Sequence, residues 1–216
     1  MESRSTLLET FVVALDAAFA VAPMEAEAKA SVARIFEALR VAGSSGTVQG
    51  TRIPVCRHLG DAYSFGRSGS AQLARVTDAF AALEPNLKWA VRPASGPFAS
   101  ENWSTGHANS MIIGQGGLEQ RKDVAIGASL LAPDVRYPDH NHGPEEVYLI
   151  LSPGRFQHGN SGWFEPGVGG TLYNEPNIRH AMASDNAPLL AFWCLWVGSQ
   201  PSAADLGLGG PVRSSE

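Results

Sequence analysis

The sequence predicts a mainly β protein with helices at its N-terminal end and its strands arranged as a barrel or sandwich. Three observations carry that expectation. In the first third, apolar residues recur at helical spacing, as in Leu8, Phe11, Val12, Leu15 and Phe19. From about Trp89 onward, short apolar or alternating runs are separated by Gly, Pro, Asn and Asp, the pattern of many short strands. The chain has 216 residues, enough for one sizeable domain with a real core.

Taken in order, the first helix is expected from Thr6 to Ala20, with Pro23 breaking its pattern. A second runs from Glu25 to Val41, with Val32, Ile35, Phe36 and Leu39 on one face and Gly43 as its stop. A loop rich in Gly and Ser comes next, Gly43 to Gly50. A third helix spans Ser70 to Leu83, aligning Leu73, Val76, Phe80 and Leu83, and Pro85 lies just beyond. Strands are expected at Trp89–Arg92, Met111–Ile113, Val124–Leu131, Glu146–Leu151, Gly162–Phe164, Gly170–Tyr173, Arg179–Ala183 and Leu189–Val197. The chain then divides into a helical segment (1–86) packing on a barrel (87–205), with a small polar tail (206–216) expected to fray. Packing between two copies in a homodimer is the plain use for such helices.

Composition narrows the function. Net charge is −5 and no Lys/Arg cluster occurs, so neither nucleic acid nor an anionic membrane surface is an expected partner. Two cysteines, Cys56 and Cys194, cannot make a disulfide framework, and Cys194 in an apolar run reads as a buried thiol. Phe11 to Leu15 is apolar, but Glu9 and Asp16 flank it and no basic segment precedes it. It reads as an amphipathic helix rather than a secretion signal. No apolar run is long enough to cross a bilayer, and the expected location is the cytoplasm.

The chemistry concentrates in Tyr137-Pro-Asp-His140-Asn-His142-Gly-Pro-Glu145-Glu146-Val-Tyr148, with His180 further along the chain. In an extended chain side chains alternate faces with period two. His140, His142, Glu146 and Tyr148 then share one face, while Glu145, Val147 and Leu149 take the other. A one-residue register slip would exchange Glu145 and Glu146. Gly143-Pro144 allows a bend between the pairs. Imidazole and carboxylate together suit Zn²⁺, Fe²⁺, Mn²⁺ and Ni²⁺ with weak discrimination among them, and zinc is the ion expected. His140, His142, Glu146 and His180 could supply four ligands at most.

The spacing His140-x-His142-x-x-x-Glu146 with Gly154, then Gly170, Pro176 and His180, resembles the two motifs of the cupin superfamily. Gly154 comes one residue late, and His180 is one residue closer to Pro176 than is usual. Ile178 replaces the usual glycine, and Ser184 stands where asparagine is common. The cupin resemblance implies a double-stranded β-helix barrel with a metal inside. A narrower resemblance comes from Tyr137 three before His140 and Tyr148 two after Glu146. With these the stretch is similar to the cupin-type dimethylsulfoniopropionate lyases, which also carry helices before the barrel.

That resemblance implies a small sulfonium carboxylate as substrate and β-elimination to acrylate and dimethyl sulfide. Tyr148 is then the expected base, because a nearby cation favours phenolate. Tyr137 would line the mouth or polarise the substrate. Trp163, Tyr173, Phe192, Trp193 and Trp196 are candidates to face the sulfonium, and alternation puts Trp193 and Trp196 on opposite faces. His58 and His107 read as surface or loop residues, and His158 as part of a hairpin turn. Gly114 to Gly117 reads as a turn, since it lacks the lysine of a phosphate loop. Two other functions stand beside the lyase: a cupin dioxygenase of a small thiol or acid, and a non-catalytic cupin binding a small ligand.

Overall fold

Ser5 starts the helical layer: its Oγ accepts from the Leu8 N–H at 3.3 Å and opens α1 (Thr6–Val21). In this computed structural model, which describes residues 4–92 and 96–198, α1 buries Leu8, Phe11, Leu15 and Phe19 along one stripe. The second helix, α2 (Ala26–Ala38), stops three residues before the expected Val41. Its C-terminal carbonyls have other partners. The Arg121 guanidinium donates to Ala38 O at 3.0 Å and that of Arg4 to Leu39 O at 2.6 Å, so side chains end the helix where a further turn would have done so.

A two-residue strand, β1 (Ser44–Ser45), lies in the loop expected between the helices. Beyond it, a 3₁₀ turn at Pro54–His58 runs into α3 (Leu59–Arg67), a helix that sequence periodicity does not predict. Gly60, Asp61, Ser64 and Gly66 weaken its helical signal, and packing decides instead. A Cβ on Gly66 would lie 2.3 Å from Thr77 Oγ1 on α4 (Ala71–Leu83), so α3 approaches α4 as only glycine allows.

The barrel half begins with the short α5 (Trp103–Gly106), β2 (His107–Ile113), β3 (Glu119–Gln120), β4 (Val124–Leu131) and β5 (Glu145–Ile150). Then come β6 (Arg155–His158), β7 (Thr171–Asn174), β8 (His180–Ala183) and β9 (Leu189–Trp196). Strand β2 starts four residues before the expected Met111, because its polar residues face the interior rather than a loop. Trp89–Arg92 and Gly162–Phe164 are not strands. Each makes a single bridge, Ala90 to Asn109 and Phe164 to Phe156. His158 closes β6 instead of lying in a turn, and the turn comes at Gly159 (φ 53°). The expected tail, 206–216, lies outside the described residues.

The strands form a seven-stranded sheet, β1-β3-β2-β4-β9-β5-β7, facing the pair β6-β8. Bridges from Arg136 to Ala183 and from His140 to His180 extend the smaller sheet and close the barrel. The two sheets form the double-stranded β-helix barrel expected of the chain. Alternation sorts the large sheet into two cores. Val147, Leu149, Leu190, Phe192 and Cys194 face the helices, where the Phe192 ring meets Phe11 at 5.3 Å and Phe80 at 4.8 Å. Tyr148, Ile150, Ala191, Trp193 and Leu195 face the barrel interior.

Candidate active site

A paired backbone positions two of the histidines. His140 N–H donates to His180 O at 3.0 Å and His180 N–H returns to His140 O at 2.8 Å, which sets their rings 4.1 Å apart. His142 lies in the bend, and its ring is 5.0 Å from that of His180. Glu146 enters from the facing sheet on β5. Its Oε2 stands 3.4 Å from His142 Nε2 and 3.4 Å from His180 Nε2. The ligand atoms of His142, Glu146 and His180 all lie within 4.8 Å of one another, and His140 flanks this trio. Glu145 points the other way, to Arg34 of α2 and the Tyr173 hydroxyl, so the two glutamates keep their expected faces.

Each histidine is held in one tautomer. Nδ1–H donates to a backbone carbonyl in all three: Pro138 O at 2.9 Å for His140, Pro144 O at 2.8 Å for His142 and Ile178 O at 2.9 Å for His180. The Nε2 lone pairs are left facing the interior. Those of His142 and His180 are buried without a hydrogen-bond partner, which is the arrangement a metal ligand needs. These residues fit a divalent cation.

Electrostatics set the three histidines apart: burial pulls His142 down, but the Glu146 carboxylate beside it outweighs burial and raises it. Burial, with His180 and Arg92 beside it, drives His140 well below its ordinary value; burial lowers His180 to about 4, so both offer neutral imidazole. Burial pushes Glu146 up, but His142, His180 and Asn174 outweigh it and hold the carboxyl below its usual range. The Asn174 contact is a hydrogen bond, Nδ2 to Glu146 Oε2 at 3.0 Å, from a fully buried residue opposite Glu146 on β7.

Both tyrosines line the same cavity. Tyr148 projects inward two residues after Glu146, and burial together with the Glu146 carboxylate raises its phenol well above 10. Tyr137 is interior, 3% exposed, rather than a rim residue. Its ring packs 4.3 Å from Trp103 and 4.9 Å from His140, and its hydroxyl accepts from Asn109 Nδ2 at 2.9 Å. Burial raises this phenol too, against the pull of Arg92 and Asn109. Of the five candidate aromatics, Trp193 lines the cavity; Phe192 and Trp196 pack toward the helices, Tyr173 bonds Glu145, and Trp163 lies against Arg136 and Arg155.

Sequence reasoning missed Arg92, Asn109, Ser129 and Asn174. They lie in no motif: sheet pairing sets Asn109 beside Ser129 in the cavity wall and Asn174 against Glu146, and the single bridge of Ala90 to Asn109 brings Arg92 to the cavity. His107, expected at the surface, is fully buried. Its Nδ1–H donates to Trp103 O and its Nε2 accepts from the Arg92 N–H at 2.9 Å. Ser184, at the position usual for asparagine, accepts from Val135 N–H at 3.0 Å and donates to Ala132 O, tying down the approach to the histidines.

The family model for dimethylsulfoniopropionate lyase matches residues 27–191. The chain belongs to that family. A relative from Cereibacter sphaeroides, provisionally named dimethylsulfoniopropionate lyase DddL, is 28% identical over 148 residues, or 68% of this chain. The match spans 60% of that relative's length. Among solved structures, the DMSP lyase DddQ from Ruegeria pomeroyi superposes with a TM-score of 0.65 at 20% identity, covering 91% of this chain and 94% of the other. A structure described with the DMSP lyases RdDddP and RnDddQII gives 0.66 at 19% identity, covering 92% and 93%. At these identities the superpositions speak for the fold. Among the described residues, no helix is long and apolar enough to cross a membrane.

Proposed function

We propose that this chain is a metal-dependent carbon–sulfur lyase that cleaves dimethylsulfoniopropionate to acrylate and dimethyl sulfide. The observation that carries the reading is the pair of buried, partnerless Nε2 atoms of His142 and His180 converging on one Glu146 oxygen, beside the inward Tyr148, in a member of this family. His140, His142, Glu146 and His180 would hold the ion, zinc first, with manganese, iron or nickel as alternatives.

Elimination removes a proton from the carbon beside the carboxylate. The C–H electron pair becomes the C=C bond, and the C–S pair leaves with neutral dimethyl sulfide. A bound divalent ion supplies charge withdrawal from the substrate carboxylate and favours phenolate at Tyr148. Tyr148 takes the proton. Burial and the Glu146 carboxylate hold this phenol well above its ordinary value, so a bound cation's charge would be what fits it to act as base. Asn109 donates to Tyr137 and fixes its hydroxyl toward the cavity. Trp193 provides an aromatic face for the sulfonium.

Headspace gas chromatography of metal-loaded protein with dimethylsulfoniopropionate tests this. The wild type should release dimethyl sulfide, and Tyr148→Phe should lose roughly 100-fold or more at unchanged metal content, the scale of a lost general base. No release with any of the four metals would sink the substrate assignment.

A further inference from the structure

We infer that Arg92 recognises the carboxylate of the substrate and so fixes which way a zwitterion lies in the cavity. The inference rests on the lyase reading, because it says which end of that substrate meets which wall. The cavity has two unlike sides. Arg92, Asn109 and Ser129 form a polar wall, and Met182, Trp193 and Leu195 an apolar one. Asn109 and Ser129 bond each other at 2.7 Å, and Asn109 also donates to Tyr137, so both are already engaged.

Arg92 keeps a free donor. Its guanidinium lies 5.9 Å from the centre of the Tyr137 ring, and its Nε is buried without a hydrogen-bond partner. Among the described residues it makes no ion pair, whereas Arg136, which also has a buried, partnerless Nε, pairs with Asp139 through its Nη2. A guanidinium with a desolvated, unused donor is costly unless an anion completes it, and carboxylate is the geometric match for its fork. The backbone of Arg92 is fixed as well: its N–H is held by His107, whose ring stacks on Trp103 at 3.2 Å.

The cavity's own carboxylate, Glu146, accepts from Asn174 and lies beside His142 and His180, and among the described residues it makes no ion pair with Arg92. The guest must therefore bring the anion. Arg92 also repels the sulfonium, which leaves the Trp193 side for that end of the molecule. A sulfonium or ammonium without a carboxylate would be rejected.

The test compares wild type, Arg92→Met and Arg92→Lys, each metal-loaded, by calorimetric binding of propionate, by steady-state turnover and by metal analysis. Propionate affinity should fall tenfold or more in Arg92→Met, with partial recovery in Arg92→Lys. KM for dimethylsulfoniopropionate should rise in parallel, with a smaller change in kcat and metal content unchanged. Propionate affinity and KM within twofold of wild type in a fully loaded Arg92→Met would overturn the inference even if dimethyl sulfide is released. Arg92-dependent propionate binding without any release would uphold it and remove the lyase reading instead.

Discussion

At the scale of single residues, the site depends on groups that fix the orientation of others. Asn174 has no reacting role, yet its amide holds the Glu146 oxygen shared by His142 and His180. Outer contacts of this kind typically change metal affinity by about 10–100-fold. Asn174→Ala should weaken zinc binding by that factor in competition with a chelator; an unchanged affinity would show that Glu146 holds its position without help. His107 makes a different prediction. Burial keeps its imidazole near pKa 4, below its ordinary 6.5, and its Nε2 is already used as an acceptor. Between those values the unfolded chain binds the extra proton, so this contribution to stability is complete above about pH 6.5 and is lost as pH falls toward 4, by about 3 kcal/mol. Urea midpoints across that range should fall more steeply for wild type than for His107→Gln, and identical slopes would refute it.

At the scale of elements, the two faces of the large sheet carry separate tasks, and Phe192 shows how they are joined. It sits on β9 between the inward Ala191 and Trp193, and points to the helices, where Phe11 of α1 and Phe80 of α4 close on it. Phe192→Ala should destabilise the protein by roughly 3–5 kcal/mol through lost burial and the cavity left behind. A denaturation midpoint within error of wild type would contradict that packing account. Legible in the sequence were α1, α2 and α4 with their apolar stripes, β4, β5 and β9 with their long apolar or alternating runs, and the short β7 and β8 between turn residues. Those that were missed, α3, α5, the first half of β2 and the short β1, β3 and β6, have weak local signals. In α3 the close contact of Gly66 with Thr77 replaces propensity, and in β2 polar residues point inward toward a polar cavity.

At the scale of the whole molecule, a metal site joining both sheets couples binding to stability. His140 and His180 come from the smaller sheet, His142 from the bend after His140 and Glu146 from the large sheet, so an ion held by all four would tie the barrel shut. At a free concentration roughly 100 times the dissociation constant, such binding adds about 2.7 kcal/mol. Chelation should therefore lower the melting temperature by roughly 5–10 °C for a chain of this size. A melting curve indifferent to chelator and added zinc would argue against the ion.

By itself the sequence determined that Glu146 and Tyr148 share the inward face of β5 with Glu145 outward, because alternation is a local property of extended backbone; it also named His140 and His142, which reach the same cavity across the bend from the smaller sheet and not by alternation. It also carried the helices-then-barrel order and the family resemblance. The tertiary structure decided what no local period encodes. The bridge between His140 and His180 brings together residues far apart in the chain, backbone carbonyls select the histidine tautomers, pairing of β2 with β4 and the Ala90 bridge carry Asn109 and Arg92 to the cavity, and pairing of β5 with β7 sets Asn174 on Glu146. Those contacts depend on which strands lie side by side, and that is settled only when the two apolar faces of the large sheet are buried together.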